Sequence, residues 1–185
     1  MRKLALLFIG TCLTLTATLT SAQRLGVTGG DGYIGGAALF WELDPDGGSS
    51  FEDTAFLFRF GNRINEYAAL ESRFGLGGSD SVNGEEFELD LLGSLFISPR
   101  LPLSDEFELY GLFGFSTIRG SVDDENGGLF GGGSTSTVSD TDISYGLGAA
   151  FRPTPELSID VDYAVYLDES DYDFSGWAVG LTWYY

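Results

Sequence analysis

The sequence predicts an all-β fold, an eight-stranded antiparallel up-and-down transmembrane β-barrel. Three observations favour it. Apolar residues recur at every second position, the charges within these segments share the opposite face, and short connectors alternate with longer acidic ones. A period of two indicates β-strands with two different faces. No segment shows a convincing period of 3.6 residues, so the fold is expected to be built from strands.

The first 22 residues predict a cleaved secretory signal peptide. Arg2 and Lys3 form a basic start, an apolar run follows, and Thr20–Ala22 are small residues before a cleavage point. A transmembrane helix needs about 20 predominantly apolar residues, and threonines interrupt this run. We therefore divide the chain into a signal peptide, residues 1–22, and a barrel domain, residues 23–185.

Eight alternating segments follow the signal peptide. In order they are Tyr33–Leu43, Ala55–Phe60, Ala68–Leu76, Phe87–Ile97, Phe107–Phe115, Ile143–Phe151, Leu157–Leu167 and Gly176–Tyr185. Strands of about 10 residues cross a bilayer when they are tilted.

The apolar faces of these segments are expected to contact lipid. They include Phe56, Phe58 and Phe60 in the second segment, Leu70, Phe74 and Leu76 in the third, and Phe87, Leu89, Leu91, Leu95 and Ile97 in the fourth. The fifth to seventh segments repeat the pattern with Leu109 and Phe113, with Ile143 and Leu147, and with Ile159 and Val161. The sequence does not show which face of the first segment contacts lipid, because Ile34, Ala38 and Phe40 on one face are as apolar as Leu39 and Trp41 on the other.

The connectors alternate in length. Short turns are predicted near Asn62–Arg63, Pro99–Pro102 and Pro153–Pro155, and longer connectors over residues 44–53, 77–86, 121–142 and 168–173. Short periplasmic turns and longer extracellular loops are typical of outer-membrane barrels. The longer connectors hold more than half of the acidic residues, so an acidic extracellular end is expected.

The charges within the strands are predicted to face the lumen. This lumen set consists of Arg59, Glu71, Arg73, Glu88, Asp90, Glu108, Asp160 and Asp162. An eight-stranded barrel is just wide enough for side chains to fill its interior. The set is therefore interpreted as a structural plug of paired charges. The alternative is a narrow cation-preferring channel or small porin, since acids outnumber arginines in the set.

A soluble secreted β-sandwich binding module is a second alternative. Its two apolar faces would pack together and would explain the alternation. It does not explain why the charges lie on the face that would become the core.

The sequence resembles the small outer-membrane β-barrel family of Gram-negative bacteria that includes the OmpA transmembrane domain and OmpX. The resemblance rests on the signal peptide, the eight alternating segments and the last strand, and it covers about residues 24–185. It implies an outer-membrane location and a barrel-assembly signal read by the assembly machinery. The residues that match this signal are Trp177, Val179, Leu181, Trp183 and Tyr185.

Composition excludes several functions. The chain has no histidine, which removes Ser-His-Asp and Cys-His catalysis, and the lipid-modifying enzymes among outer-membrane barrels rely on a histidine. The formal net charge of −19 disfavours binding to nucleic acid.

We expect a non-enzymatic, monomeric protein without cofactor, in a structural or surface-interaction role beside lipid and lipopolysaccharide. The extracellular acids could gather divalent cations, with Asp44, Asp46, Glu52 and Asp53 as candidate metal ligands.

Overall fold

The computed structural model describes residues 32–45, 50–82, 85–124, 135–168 and 172–185. The predicted signal peptide lies outside the described residues. Within them the chain forms nine strand segments. They are β1 (Gly32–Pro45), β2 (Phe51–Asn65), β3 (Ala68–Leu76), β4 (Ser79–Val82), β5 (Glu85–Pro102), β6 (Phe107–Asp124), β7 (Thr135–Thr154), β8 (Leu157–Asp168) and β9 (Tyr172–Tyr184).

The strands form one closed antiparallel barrel. Their order is β3-β2-β1-β9-β8-β7-β6-β5-β4, and β3 also pairs with β5, which closes the wall. Segments β3 and β4 are two parts of one barrel strand, since both pair with β5. Between them Gly77 and Gly78 have φ angles of +87° and +100°, a conformation that glycine adopts without strain. The predicted eight-stranded up-and-down barrel is thus confirmed, and the β-sandwich alternative is wrong.

The outward face of the wall is apolar. Trp177, Val179, Leu181 and Trp183 on β9 are all exposed, and Leu147 on β7 has 76% of its surface exposed. Exposed large apolar side chains are unfavourable in water and suit a wall that contacts lipid. Among the described residues, no helix is long and apolar enough to cross a membrane.

The first strand is apolar on both faces, and the structure shows which side chains face the lumen and which face outward. Tyr33, Leu39 and Trp41 are buried inside the barrel, whereas Ile34 and Phe40 point outward. The sequence was ambiguous here because the interior beside this strand is itself apolar.

The strands are longer than predicted. The short turns fall at residues 66–67, 103–106 and 155–156, each later in the chain than expected. At the other end the strands continue into segments predicted as loops, and β7 alone has 20 residues. At about 3.4 Å per residue and a tilt of ~40°, it rises about 50 Å, whereas the apolar band of such barrels is about 25 Å tall. The wall therefore extends beyond the membrane at the end opposite the short turns, which we call the long-loop end.

The interior is filled in layers. An apolar cluster occupies the part nearer the long-loop end; it includes Leu39, Trp41, Leu57, Leu89, Leu92, Tyr166 and Phe174. Next comes a hydrogen-bonded serine layer, in which Ser94 and Ser144 each lie 2.7 Å from Ser116 between hydroxyl oxygens. Charged side chains fill the remainder, towards the short turns.

Candidate functional site

The charged interior centres on Asp162 of β8. Its carboxylate accepts hydrogen bonds at 2.7 Å from Arg59 of β2 and at 2.7 Å from Arg73 of β3. Tyr110 of β6 donates to the same carboxylate at 2.8 Å. Both arginines and the aspartate are almost completely buried. One carboxylate therefore ties together strands that are far apart in sequence.

A second carboxylate, Glu71, links this centre to the short-turn end. Arg73 donates through Nε to Glu71 Oε1 at 2.7 Å, and the Tyr33 hydroxyl donates to Oε2 at 2.6 Å. The Arg100 guanidinium donates to the Tyr33 hydroxyl at 3.1 Å and forms an ion pair with Glu71 at 3.8 Å. Positive and negative groups thus alternate through the interior.

Three arginines surround Glu108 at the short-turn end. Arg100 donates to Oε1 at 2.6 Å, and Arg63 donates to Oε2. The guanidinium of Arg152 lies 3.6 Å from Oε1 and 4.5 Å from the ring centre of Tyr184. We call the connected set Arg59, Arg63, Glu71, Arg73, Arg100, Glu108, Arg152 and Asp162, with Tyr33 and Tyr110, the lumen network.

Inward glycines make room for the two tyrosines. Tyr33 lies directly opposite Gly61, and Tyr110 directly opposite Gly148. A Cβ added at Gly61 would lie 2.0 Å from Tyr33 Cζ, and one at Gly148 would lie 2.4 Å from Tyr110 Cζ. The rings can therefore lie flat against the wall and direct their hydroxyls towards the carboxylates.

Asp160 is buried beside the network but bonds differently. Its carboxylate accepts from Ser158 at 3.0 and 3.1 Å and from the Thr182 hydroxyl. No arginine forms an ion pair with it among the described residues. Of the predicted lumen set, the structure thus brings Arg59, Arg73, Glu71, Glu108 and Asp162 into one network and places Asp160 next to it.

The prediction for Asp90 is wrong. A bulge between Leu89 and Leu91 shifts the register of β5 against β6, so Leu89 is buried inside and Asp90 is exposed. A bulge reverses the alternation beyond it. The expected lipid-facing position of Leu89 is wrong for the same reason. The side chain of Glu88 lies outside the described residues.

Sequence reasoning missed three arginines of the network. Arg63 and Arg100 fall in predicted turns, and Arg152 ends the polar face of the strand segment that begins at Ile143 but is not part of the predicted lumen set. All three lie on strand ends and point inward. Between the apolar cluster and the short turns, the described interior holds five arginines and four carboxylates. The expected excess of acid in this part of the lumen is therefore wrong.

Acidic residues crowd the long-loop end on the outer face of the strands. Glu42 of β1 lies directly opposite Glu52 of β2, and Asp173 of β9 lies opposite both Asp44 and Asp168. We call these five exposed residues the acidic rim. Like charges in directly opposed positions repel.

Of the four candidate metal ligands, Asp44, Glu52 and Asp53 lie among the described residues, and these three are not placed to hold one metal ion. Asp44 accepts from the Ser50 hydroxyl at 3.1 Å, and Asp53 accepts from the backbone N–H groups of Thr54 and Ser79 at 2.7 and 2.6 Å. Asp46 lies outside the described residues. In the part of the chain that the structure describes, no three acidic, cysteine or histidine side chains are placed to hold a metal ion.

The predicted assembly-signal residues form an outward row. Trp177, Val179, Leu181, Trp183 and Tyr185 are all exposed on the lipid-facing side of β9 or just after it. Strand β9 pairs with β8 on one side and closes the barrel against β1 on the other.

A comparison with known protein families shows to which family the chain belongs. A family model described as outer membrane protein beta-barrel domain matches residues 9–184. The chain belongs to this family. It is an outer-membrane β-barrel protein related to the OmpA-like barrels of Gram-negative bacteria. No curated protein matches the sequence.

Solved outer-membrane barrels share the family fold. Ail, the attachment invasion locus protein of Yersinia pestis, superposes with a TM-score of 0.65 at 18% identity, covering 84% of this chain and 99% of Ail. Neisserial surface protein A gives 0.66 at 16% identity, with 83% and 97% covered. The N-terminal barrel of Pseudomonas aeruginosa OprF gives 0.54 at 13% identity, with 84% and 100% covered. At these identities the likeness concerns the fold.

Proposed function

We propose that this protein is a non-enzymatic outer-membrane barrel with a structural or surface-interaction role, which keeps its lumen closed and presents an acidic extracellular end. The observation that supports this most is the lumen network. Its buried arginines and carboxylates bond one another across the barrel, with the serine layer and the apolar cluster stacked above them. Breaking buried pairs of this kind costs several kcal/mol, so opening a water path here is unfavourable.

A narrow cation-preferring channel is the alternative function. Two observations weigh against it. The described interior towards the short turns has five arginines against four carboxylates, which does not favour cations. On the long-loop side of Arg59 and Ser94, an ion would meet Leu39, Leu57 and Leu92, whose exposed fractions are 0%.

Conductance across a planar bilayer tests this proposal. Refolded protein that shows the heat-modifiable gel shift of a folded barrel is expected to give no steady openings in KCl, with a porin in the same membrane as the positive control. Steady, cation-selective openings would contradict a closed lumen and would favour the channel.

The absence of enzymatic activity is also part of the proposal. The sequence contains no histidine, and its single cysteine, Cys12, lies in the predicted signal peptide. The buried carboxylates that could act as acids or bases are held by arginines and hydroxyl groups. Glu108, which borders a cavity at the short turns, is surrounded by three arginines.

At the long-loop end we propose that the acidic rim gathers divalent cations beside lipopolysaccharide. The support is the register: Asp173 faces both Asp44 and Asp168, and Glu42 faces Glu52. Cations that screen these pairs would lower their repulsion.

One structural relative, Ail, is described in complex with the heparin analogue sucrose octasulfate. We do not extend this ligand to the present chain, since its rim would repel a polysulfated sugar.

Cation dependence can be measured directly. Mg²⁺ is expected to raise the unfolding midpoint of the wild-type barrel, and Asp173→Asn is expected to raise it without Mg²⁺ and to reduce the Mg²⁺ effect. Asp105→Asn, in the turn at the opposite end, is the matched control. Equal Mg²⁺ effects in both variants would contradict a role for the rim.

Export and assembly complete the proposal. We propose that residues 1–22 direct export and are removed, and that the row from Trp177 to Tyr185 is read by the barrel-assembly machinery. The outward direction of that row supports it, because an unfolded or partly folded β9 would offer those side chains together on one face.

A further inference from the structure

The short-turn end of the lumen has a surplus of positive charge. Three guanidinium groups converge on the single carboxylate of Glu108. Arg63 and Arg100 each hydrogen-bond one of its oxygens. Arg152 is left at 3.6 Å, beyond hydrogen-bond distance. Its charge is the least compensated of the lumen network.

Arg152 has donors without acceptors. Its Nε and Nη2 atoms are buried and have no hydrogen-bond partner among the described residues, and the same holds for Nε of Arg63. The position of Arg152 is fixed, since its backbone N–H donates to the Glu106 carbonyl at 2.7 Å and its guanidinium stacks on Tyr184. Leaving buried N–H donors without acceptors costs free energy, which an incoming acceptor would recover.

A cavity opens beside these arginines at the short turns. It has a volume of about 210 Å³. Its lining comprises Arg63, Arg152, Ser104, Pro102 and Phe107, together with the acidic residues Glu108, Glu66, Asp105 and Glu106. The Ser104 oxygen accepts the backbone N–H groups of Glu106 and Phe107, so its own hydrogen is available to donate. At about 30 Å³ per water molecule, the cavity has room for a carboxylate or phosphate group with a few waters.

We propose that this cavity binds a small oxyanion, a carboxylate or phosphate group, between Arg152, Arg63 and the Ser104 hydroxyl. A planar guanidinium offers paired donors that match such oxygens. Glu66, Asp105 and Glu106, which also line the cavity, are exposed to solvent. Their repulsion disfavours anions of high charge, whereas the attraction of the bound anion to Arg152 and Arg63 weakens as salt screens it. The site lies at the end opposite the acidic rim, and its occupancy does not depend on the role of that surface.

Titration of folded protein in detergent micelles tests this site with two probes, acetate and inorganic phosphate. Each is added at constant ionic strength against a chloride background, and binding is followed by the unfolding midpoint and by acetate or ³¹P line broadening. We expect saturable binding of at least one probe to the wild type. The stronger probe identifies the oxyanion class.

Three variants make the test specific. Arg152→Gln is expected to weaken binding roughly tenfold or more, as follows from losing a charge-assisted hydrogen bond. Arg152→Lys keeps the positive charge but lacks the paired N–H donors of a guanidinium, so it should recover part of the affinity. Arg119→Gln removes the same charge from an exposed position near the long-loop end and should bind like the wild type.

The result that would overturn the proposal is the absence of saturable binding of either probe, or equal binding by Arg152→Gln and Arg119→Gln. If Arg152→Gln does not fold, Arg152→Lys provides the comparison by line broadening alone. In that case an affinity unchanged from the wild type would overturn the paired-donor geometry.

Discussion

Replacing Asp162 with asparagine tests how strongly the lumen network stabilises the barrel. The substitution preserves the shape of the side chain and removes its charge. In the wild type this carboxylate has no exposed surface and accepts from Arg59, Arg73 and Tyr110. Asparagine has one acceptor oxygen, and its NH₂ group would face guanidinium N–H donors. Arg73 would keep its ion pair with Glu71, whereas Arg59 would lose its one ion pair among the described residues.

The expected loss of unfolding free energy is about 3–5 kcal/mol, the cost of removing one partner from a buried ion pair. With a urea m-value of about 2 kcal/mol/M, the midpoint falls by roughly 1.5–2.5 M. Asp160→Asn is the matched control. It lies two residues earlier on the same strand face and is equally buried, but its partners are the Ser158 and Thr182 hydroxyls. An amide can satisfy these hydroxyls, so we expect a change of about 1 kcal/mol or less.

The assay is equilibrium urea unfolding of the refolded barrel in lipid vesicles, followed by tryptophan fluorescence and by the heat-modifiable gel shift. Equal losses in the two variants, or a loss below about 1 kcal/mol for Asp162→Asn, would refute the reasoning. Either result would mean that packing rather than charge pairing determines the contribution of this strand face.

Two further pairs of substitutions, each a test and its control, probe the inner and outer faces of the wall by the same unfolding assay. Gly61→Ala would place a methyl 2.0 Å from the Tyr33 ring and should cost about 1–3 kcal/mol; Gly93→Ala meets no atom within 4 Å and should change stability by about 0.5 kcal/mol or less. Similar effects of the two alanines would contradict the tight tyrosine–glycine packing. Val179→Lys, in the middle of the lipid face, should cost about 2–4 kcal/mol, whereas Leu103→Lys in a short turn should cost about 1 kcal/mol or less. A tolerated lysine at Val179 would contradict lipid contact there.

The lipid face was predictable because the membrane imposes one requirement on every strand. Any outward position within the hydrocarbon must be apolar. The alternation of apolar residues is therefore enough to predict that Phe58 and Leu147 face lipid. The same rule assigned Arg59, Arg73 and Asp162 to the interior. It gave no answer for β1, whose inner side packs against the apolar cluster through Leu39 and Trp41.

Other features depend on contacts that alternation does not encode. The bulge that exposes Asp90 lies in the pairing of β5 with β6. On its other side β5 faces the break at Gly77–Gly78, where the Leu89 N–H donates to the Gly78 carbonyl at 2.9 Å. Arg100 lies between Pro99 and Pro102, and two prolines suggest a turn. Here both prolines lie in β5, and the intervening arginine reaches Glu108.

The central claim is that side chains close the lumen, and the accessibility of a single cysteine in the serine layer tests it most directly. Ser116 has no exposed surface and bonds Ser94 and Ser144. Protein produced from residue 23 onward has no native cysteine, so Ser116→Cys supplies the only thiol, and Ser104→Cys in a short turn is the control. With a charged, water-soluble methanethiosulfonate, we predict rapid labelling of the control and labelling of Ser116→Cys only after unfolding. Rapid labelling of Ser116→Cys in the folded barrel would show a water-filled lumen and contradict the account.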